Sequence, residues 1–534
     1  MFKFKKLVAT IIAVMLIMAS FAGCNPSGGG GGEVDERDNV APLRATEVRM
    51  LLRTADGQPP ADMQRVTNEI NHRLRLDGRP YTVRFFFFDE TEYLSRLALS
   101  INERYDLAFM HISDFAGAMQ TNLLRDVRPF LEKYGQNLLD SVPQHAWNSV
   151  AVRGEDRDRY FLIPRNMPVS DAESFTAIRR DWMDDFGMDR VETLAQFEQY
   201  MMHAHNRLAG TTGAFVTAAD NHWNILYRHY APSYFFPFVN WAFRPLAIDV
   251  DPDNLENGRF VVRNFFRTHA FEDIIARSRH YYNLGYTSPH SMPGTEALFT
   301  ADQIAMVWNT LLKTNERIDS FRATQLNALG NARADIYDVY LNPDDPRFIV
   351  NGVDNAMGLL AMSENPNEAI DFLAWVRYSQ ENHDLVNYGI LGVNYNLTED
   401  GRLDMTGITD SLNFSARMPF WAFNDIRFAR WSKNVSEEYI ESRKNWDTAD
   451  NVVVSALNGF RLDLSDTAVS VPLAQVSAAA FDTVTQLIDG RWDASETVGG
   501  MTRLQRLLND MDDAGMNALV VAVQAQVDAF MAAQ

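Results

Sequence analysis

Three short segments carry side chains suited to holding a polyhydroxylated molecule. TADGQPP places Asp56 beside Gly57, MHISDF offers Met110, His111 and Asp114, and IAMVWN ends on Trp308 and Asn309. A hydroxyl-rich ring presents an apolar C–H face and a rim of hydroxyls, so holding it takes flat aromatic side chains to stack on and planar polar groups to exchange hydrogen bonds. Trp223, Trp241, Tyr395 and Trp421 are further aromatic candidates. Each residue also has a plainer reading. Asp56 suits an Asx turn, and Asp114 suits the cap of a helix starting near Phe115. His111 suits a histidine satisfied by its neighbours, while Trp308, Trp223 and Trp241 suit interior packing. Asp106 opens an apolar strand and reads as structural, and Trp375, inside an amphipathic helix, reads as packing.

Enzymatic chemistry finds little support. The chain has no H-E-x-x-H, no G-x-S-x-G, no P-loop, and no G-x-G-x-x-G outside a glycine string near its start. His203 and His205 stand two apart on an expected helix and so point different ways. DVDPDNLENG sets Asp249, Asp251 and Asp253 at alternate positions, but Asn254 stands where a calcium loop needs Gly and Phe260 where it needs Glu. It reads as an acidic turn. No cofactor and no metal is expected. With 70 acidic residues, a carboxylate pair spaced for glycoside hydrolysis is a question of space, which leaves an exported polysaccharide-degrading enzyme as the rival of another class.

The elements that would position these loops alternate. VRMLLR (48–53), YTVRFFFF (81–88) and DLAFMH (106–111) read as strands, with ADMQRVTNEINHRLRL and ETEYLSRLALSINERY as the helices between them. This β-α-β-α-β order argues for a parallel α/β sheet, whose ligands sit outside the carboxyl ends of the strands. FLIP (161–164) and ESFTAIRRDWM (173–183) are strand-like. VETLAQFEQYMMHAHN is an amphipathic helix with Leu194, Phe197 and Met201 on one face, and 297–310 reads as helix end, turn and strand. NPNEAIDFLAWVRYSQ has the best helix start, with Asn365 as cap, Pro366 in the first turn and Glu368 placed to close a capping box. Leu519, Val523, Val527 and Phe530 mark a docked C-terminal helix. Residues 221–243 are unusually aromatic, and no internal repeat is present.

Lys3, Lys5 and Lys6 precede the apolar run 7–22, the layout of a secretory signal peptide rather than of a spanning helix with a cationic flank. The only cysteine, Cys24, follows Phe21, Ala22 and Gly23, a lipobox-like sequence in which the thiol is acylated and the chain cut before it. The Gly28–Gly32 run and the charged stretch after it then form a flexible tether. Removing residues 1–23 takes away three lysines and no acid, so the formal charge of −21 becomes −24. Such a surface repels phosphates and anionic headgroups, which excludes nucleic acid and leaves membrane contact to the lipid anchor alone.

The order of the lipobox, the β-α-β-α-β run, YDLAF (105–109), YFLIP (160–164), IRRDWM (178–183), TLAQFEQY (193–200), FTADQIAMVWN (299–309) and NPNEAIDFLAW (365–375) resembles the extracellular solute-binding proteins of bacterial ABC importers, sugar-type family 1. YGILGVNYNL (388–397) and the ending LVVAVQAQVDAF look like the LipO/YtcQ-like lipoprotein subgroup. The resemblance implies an α/β, two-lobe periplasmic-binding-protein-like fold (type II), each lobe a mainly parallel sheet flanked by helices. It places 45–165 plus 355–390 in the first lobe, and 166–354 plus 391–534, with extra C-terminal helices, in the second. Residues 1–23 would be signal peptide and 24–44 tether. The implied function is capture of a carbohydrate between the lobes and its delivery to ABC transporter permease subunits, at the extracellular face of the membrane. It puts ligand contacts at Met110, His111, Asp114, Trp308 and Asn309; a peptide or another solute suits the same scaffold.

Overall fold

The computed structural model describes residues 46–153, 156–170, 175–218, 222–240, 242–288, 295–307 and 317–534. Residues 1–45, including Cys24 and the expected tether, lie outside these, as do Trp241, Trp308 and Asn309. The strands that build the two main sheets are β1 (Thr46–Arg53), β2 (Tyr81–Phe88), β3 (Leu107–His111), β4 (Leu162–Pro164), β5 (Thr176–Arg179), β6 (Met306–Val307), β7 (Ile336–Val339) and β8 (Asn355–Leu359).

The first sheet has the order β2-β1-β3-β8-β4. β1 pairs in parallel with β2 and β3, as the β-α-β-α-β reading requires, and β8 runs antiparallel to β3 and β4. The helix Met63–Leu76 covers one face because Val66, Ile70 and Leu74, four residues apart, are all buried. β2 is an edge strand, and Asn71 blocks that edge, accepting from Val83 N at 2.7 Å and donating to Val83 O at 3.2 Å. Asp106, 1% exposed, accepts from Arg49 N at 2.9 Å, Ser363 Oγ at 2.6 Å and Asn365 N at 3.2 Å, tying the sheet to the late helix Pro366–Val376. Asn365 therefore does not cap that helix with its side chain, as its type suggested; the amide turns back to Glu47 O instead.

The second sheet, β6-β5-β7, corrects one expectation. Both of its pairings are antiparallel, because β5 leaves the first lobe and runs outward while β6 and β7 run back toward it. The strand-like stretch 173–183 is strand only over β5, after which Arg180–Asp185 turns helical.

Two large apolar cores underlie the two lobes. One gathers Val48 through Ile163 with Val353 through Phe423; the other gathers Ile178 through Val350 with Leu457 through Val527. Phe414, Met418, Ala422 and Phe423, expected in the second lobe, pack in the first core. A smaller cluster, with Phe299, Ile304, Phe321 and Trp431, covers another face of the second sheet. The helices Thr467–Ile488, Arg503–Asp513 and Met516–Ala532 close the second core, with Leu519, Val523 and Val527 buried. Gly490, at φ +73°, ends the first of these against the Ser278 carbonyl, where a Cβ would collide. Among the described residues, no single helix is long and apolar enough to cross a membrane.

His222 is fully buried in the second lobe beside Ser278 Oγ at 3.2 Å and the Tyr281 ring. Burial drops its imidazole to about 3, a carbonyl interaction with Ile488 opposing only in part. The unfolded chain therefore takes up a proton below about 6.5 that the folded chain refuses until about 3, so stability falls as pH drops through that window. The expected loss is about 1.4 kcal/mol per pH unit, or about 2 kcal/mol by pH 5. Urea titrations at pH 7, 6 and 5 check this: His222→Asn should flatten the slope, and parallel slopes would contradict it.

Candidate functional site

Strand register defines where the lobes meet. In the first sheet, Arg53 lies opposite Phe88, His111 opposite Asn355, and Ala356 opposite Pro164, so these residues share one edge. In the second sheet, Thr176 lies opposite Val339 and Ala177 opposite Val307, which marks the corresponding edge there. The chain passes from one edge to the other between Pro164 and Thr176 and again between Val339 and Asn355. The two edges are therefore the walls of an inter-lobe cleft, outside the carboxyl ends of β1 and β3.

Polar side chains line the first wall. Asp56 forms an Asx turn with Gln58 N at 3.1 Å and also pairs with Arg417 at 3.1 Å. His111 Nδ1 meets Ser113 Oγ at 2.7 Å, and Asp114 stands before the helix Phe115–Gln120 without a side-chain cap bond. Met110 is wholly buried in the first core and presents no surface; alternation along β3 turns it inward while His111 reaches the edge. The Arg165 guanidinium grips Asp354 through Nε at 2.8 Å and through Nη2. Segment 414–425 runs across this wall, from the Arg417–Asp56 pair to Asp425, which accepts from Asn166 at 2.9 Å. Trp421 lies between these anchors, half-buried against the first core.

Asp425 is fully buried. Burial raises the carboxyl's proton affinity, but the Arg427 hydrogen bond and the nearby Arg377 and Arg427 charges outweigh it and hold Asp425 below the usual range. Arg377 itself, buried and donating to Pro164 O at 2.7 Å, is pulled down to about 10 by desolvation.

The second wall is aromatic and cationic. Phe175 and Tyr340, 4% and 5% exposed, stack with centroids 4.9 Å apart, and the half-buried Trp446 packs over both at 5.1 and 5.0 Å, so Trp446 is the ring that reaches the surface. The Arg443 guanidinium stands 3.6 Å from the Phe175 ring and that of Arg347 3.6 Å from Trp446. Trp446 Nε1 donates to Ser170 O at 2.7 Å, and Asp447 accepts from Val169 N at 2.6 Å and Ser170 N at 2.9 Å. This pins the 446–448 turn to Val169 and Ser170. Sequence reasoning missed Phe175, Tyr340, Trp446, Arg347 and Arg443, which converge from three distant stretches. The one available signal was Trp446 followed by an acid in a polar segment.

Other candidates lie elsewhere. Trp223 is 7% exposed in the second core, and Tyr395 is buried with Tyr388 and Leu403, its hydroxyl raised by burial and by Asp384. His203 stacks on Phe186 and His205 tilts against Tyr286. Asp249, Asp251 and Asn254 are spent on their own turn, with bonds of 3.2, 3.0 and 3.0 Å. Among the described residues, no group of three or more His, Cys, Asp or Glu is placed to hold a metal ion. Two open surface hollows, about 370 Å³ around Phe260 and Asp528 and about 460 Å³ around Glu92 and Arg96, contain none of these candidates.

No protein-family model matches the sequence, and no curated protein matches it. Solved structures share its fold. The N-glycan transport solute binding protein NgtS of Streptococcus pneumoniae superposes with a TM-score of 0.67 at 14% identity, over 91% of this chain and 99% of that one. The alginate-binding protein AlgQ2 gives 0.57 at 13%, over 91% and 99%. The Streptococcus pneumoniae ABC-transporter substrate binding protein FusA, in complex with kestose, gives 0.56 at 12%, over 92% and 100%. At these identities the likeness establishes the two-lobe solute-binding-protein fold.

Proposed function

We propose that this chain captures an oligosaccharide between its two lobes and presents it, chemically unchanged, to the permease of an ABC importer. The observation that carries this reading is the pairing of walls across one cleft. A polar rim of Asp56, His111, Asp114, Asp354 and Arg165 carries the half-buried Trp421, and the second wall offers the half-buried Trp446, backed by the buried rings of Phe175 and Tyr340. Flat apolar surface beside planar hydrogen-bonding groups is what a sugar's two faces require, and lobes joined by several crossings close by hinge motion. The fold's relatives lend support: NgtS is solved with Man1GlcNAc and FusA with kestose.

Binding without turnover has its own support. A glycoside hydrolase needs one carboxylic acid held protonated, with its pKa raised. Asp425 at the cleft is held below the usual carboxylate range by its Arg427 hydrogen bond and by the Arg377 and Arg427 charges. Asp354, Asp56 and Asp447 are each engaged by cations or backbone N–H groups.

Calorimetry of the purified protein against a panel of oligosaccharides tests the reading, with chromatography of each mixture afterwards. Binding of a glycan recovered intact supports it; release of shorter sugars, or binding to peptides and to no glycan, contradicts it. Cys24 in its lipobox-like setting is proposed as the acyl anchor, with 24–44 as tether at the extracellular face of the membrane. Cys24→Ser should then move the protein from the membrane fraction to the medium, and unchanged membrane retention would remove Cys24 from that role.

A further inference from the structure

Among the described residues, Arg244 has no carboxylate partner, and its one hydrogen bond is a long one to Asn224 Oδ1 at 3.4 Å, while its guanidinium carbon stands 4.0 Å from the centre of the Tyr227 ring and 5.1 Å from that of Phe236. Arg244 Nε is buried without a hydrogen-bond partner, and so is the hydroxyl of Tyr227, a residue only 5% exposed. Burial pushes that hydroxyl up to about 12, with the Arg244 charge opposing, so it is a neutral donor at ordinary pH. A half-buried cation fixed over two rings, next to a buried hydroxyl with no hydrogen-bond partner among the described residues, is an incomplete polar site.

The site is tied to the cleft. Asn224 and Tyr227 sit on the helix Trp223–Tyr230, whose Arg228 donates to Leu341 O at 3.0 Å and Asn342 O at 2.8 Å and stacks over Tyr340 at 4.7 Å. Tyr340 belongs to the aromatic shelf of the second wall. In a chain of formal charge −21, an anionic ligand is repelled by the surface at large, so an arginine free of acids is the feature its recognition would require.

We infer that Arg244 and Tyr227 form a subsite for a carboxylate carried by the bound glycan, which makes an acidic oligosaccharide, built with uronic or sialic acid, the ligand class. This rests on the oligosaccharide reading above. Arg244 supplies the charge-assisted bonds and Tyr227 a neutral donor; a neutral sugar would leave both unsatisfied.

The test uses trigalacturonate, trimannuronate and sialyllactose, each beside its carboxyl-reduced counterpart, titrated calorimetrically into the full chain at low and at physiological salt. An acidic member should bind the native protein at least about tenfold more tightly than its reduced form. Arg244→Gln should lose about that factor toward the acidic probe, and carboxyl reduction should then cost the variant little more. Tyr227→Phe gives a smaller loss of the same kind, and the native comparison of acidic with reduced probe stands even if Arg244→Gln folds poorly. Equal binding of acidic and reduced probes, a panel in which no acidic glycan binds, or an Arg244→Gln protein with native preference for the acid overturns the inference. Neutral glycans that bind and respond to Trp421→Ala would leave the oligosaccharide reading intact, whereas failure of every glycan would remove both.

Discussion

Trp421→Ala is expected to weaken oligosaccharide binding about thirtyfold, or about 2 kcal/mol, while the protein stays folded. The indole lies on segment 414–425, held at one end by Arg417 on Asp56 and at the other by Asp425 on Asn166, so it is fixed before any ligand arrives. A preset aromatic face gains contact area at little cost in conformational entropy. Because Trp421 is half-buried and packs only at the margin of the first core, its removal should leave the melting transition nearly in place. Titration calorimetry beside thermal unfolding separates the two effects. Unchanged affinity would take Trp421 out of the site, and a collapse of stability would make it a core residue.

The largest effect on folding is expected at Arg179. Its side chain is wholly excluded from solvent and bonds Asp181 through Nε at 2.8 Å and Nη2 at 2.7 Å, Gln325 Oε1 at 3.0 Å, and Asp302. Its guanidinium also faces Trp182 at 5.1 Å and Phe321 at 5.3 Å. Replacing one partner of a buried pair leaves the other charge unmatched, which costs about 3 to 5 kcal/mol, whereas replacing both by apolar groups is far cheaper. Arg179→Leu should therefore destabilise the protein by about 4 kcal/mol, and Arg179→Leu with Asp181→Leu should recover more than half of that. Urea unfolding reads both; a single-variant loss under about 1 kcal/mol would contradict the account.

Much of the scaffold was legible because its signals are local. The strands β1, β2 and β3, the helix with Val66, Ile70 and Leu74, and the C-terminal stripe of Leu519, Val523 and Val527 each announce themselves by patterns within their own segments. The failures are of other kinds. Met110 misled because DLAFMH is covered on both faces, so no polar alternation marks which side chains point to the core. Asn365 has a cap's sequence but is recruited by Asp106, fifty-odd residues from Arg49 and far from both in the chain. The antiparallel pairing of the second sheet depends on the direction in which β5 crosses between lobes, which periodicity does not encode. The second wall's aromatic stack assembles Phe175, Tyr340 and Trp446 from three separate stretches, and Arg244 stands out only once its lack of an acid among the described residues is seen in space.

In the proposed function, the two lobes close on a glycan held between Trp421 and Trp446. Small-angle X-ray scattering of the purified protein, alone and saturated with the oligosaccharide that binds it in calorimetry, tests this most directly. A smaller radius of gyration with the sugar bound is the predicted result. An unchanged scattering profile at saturation would contradict it.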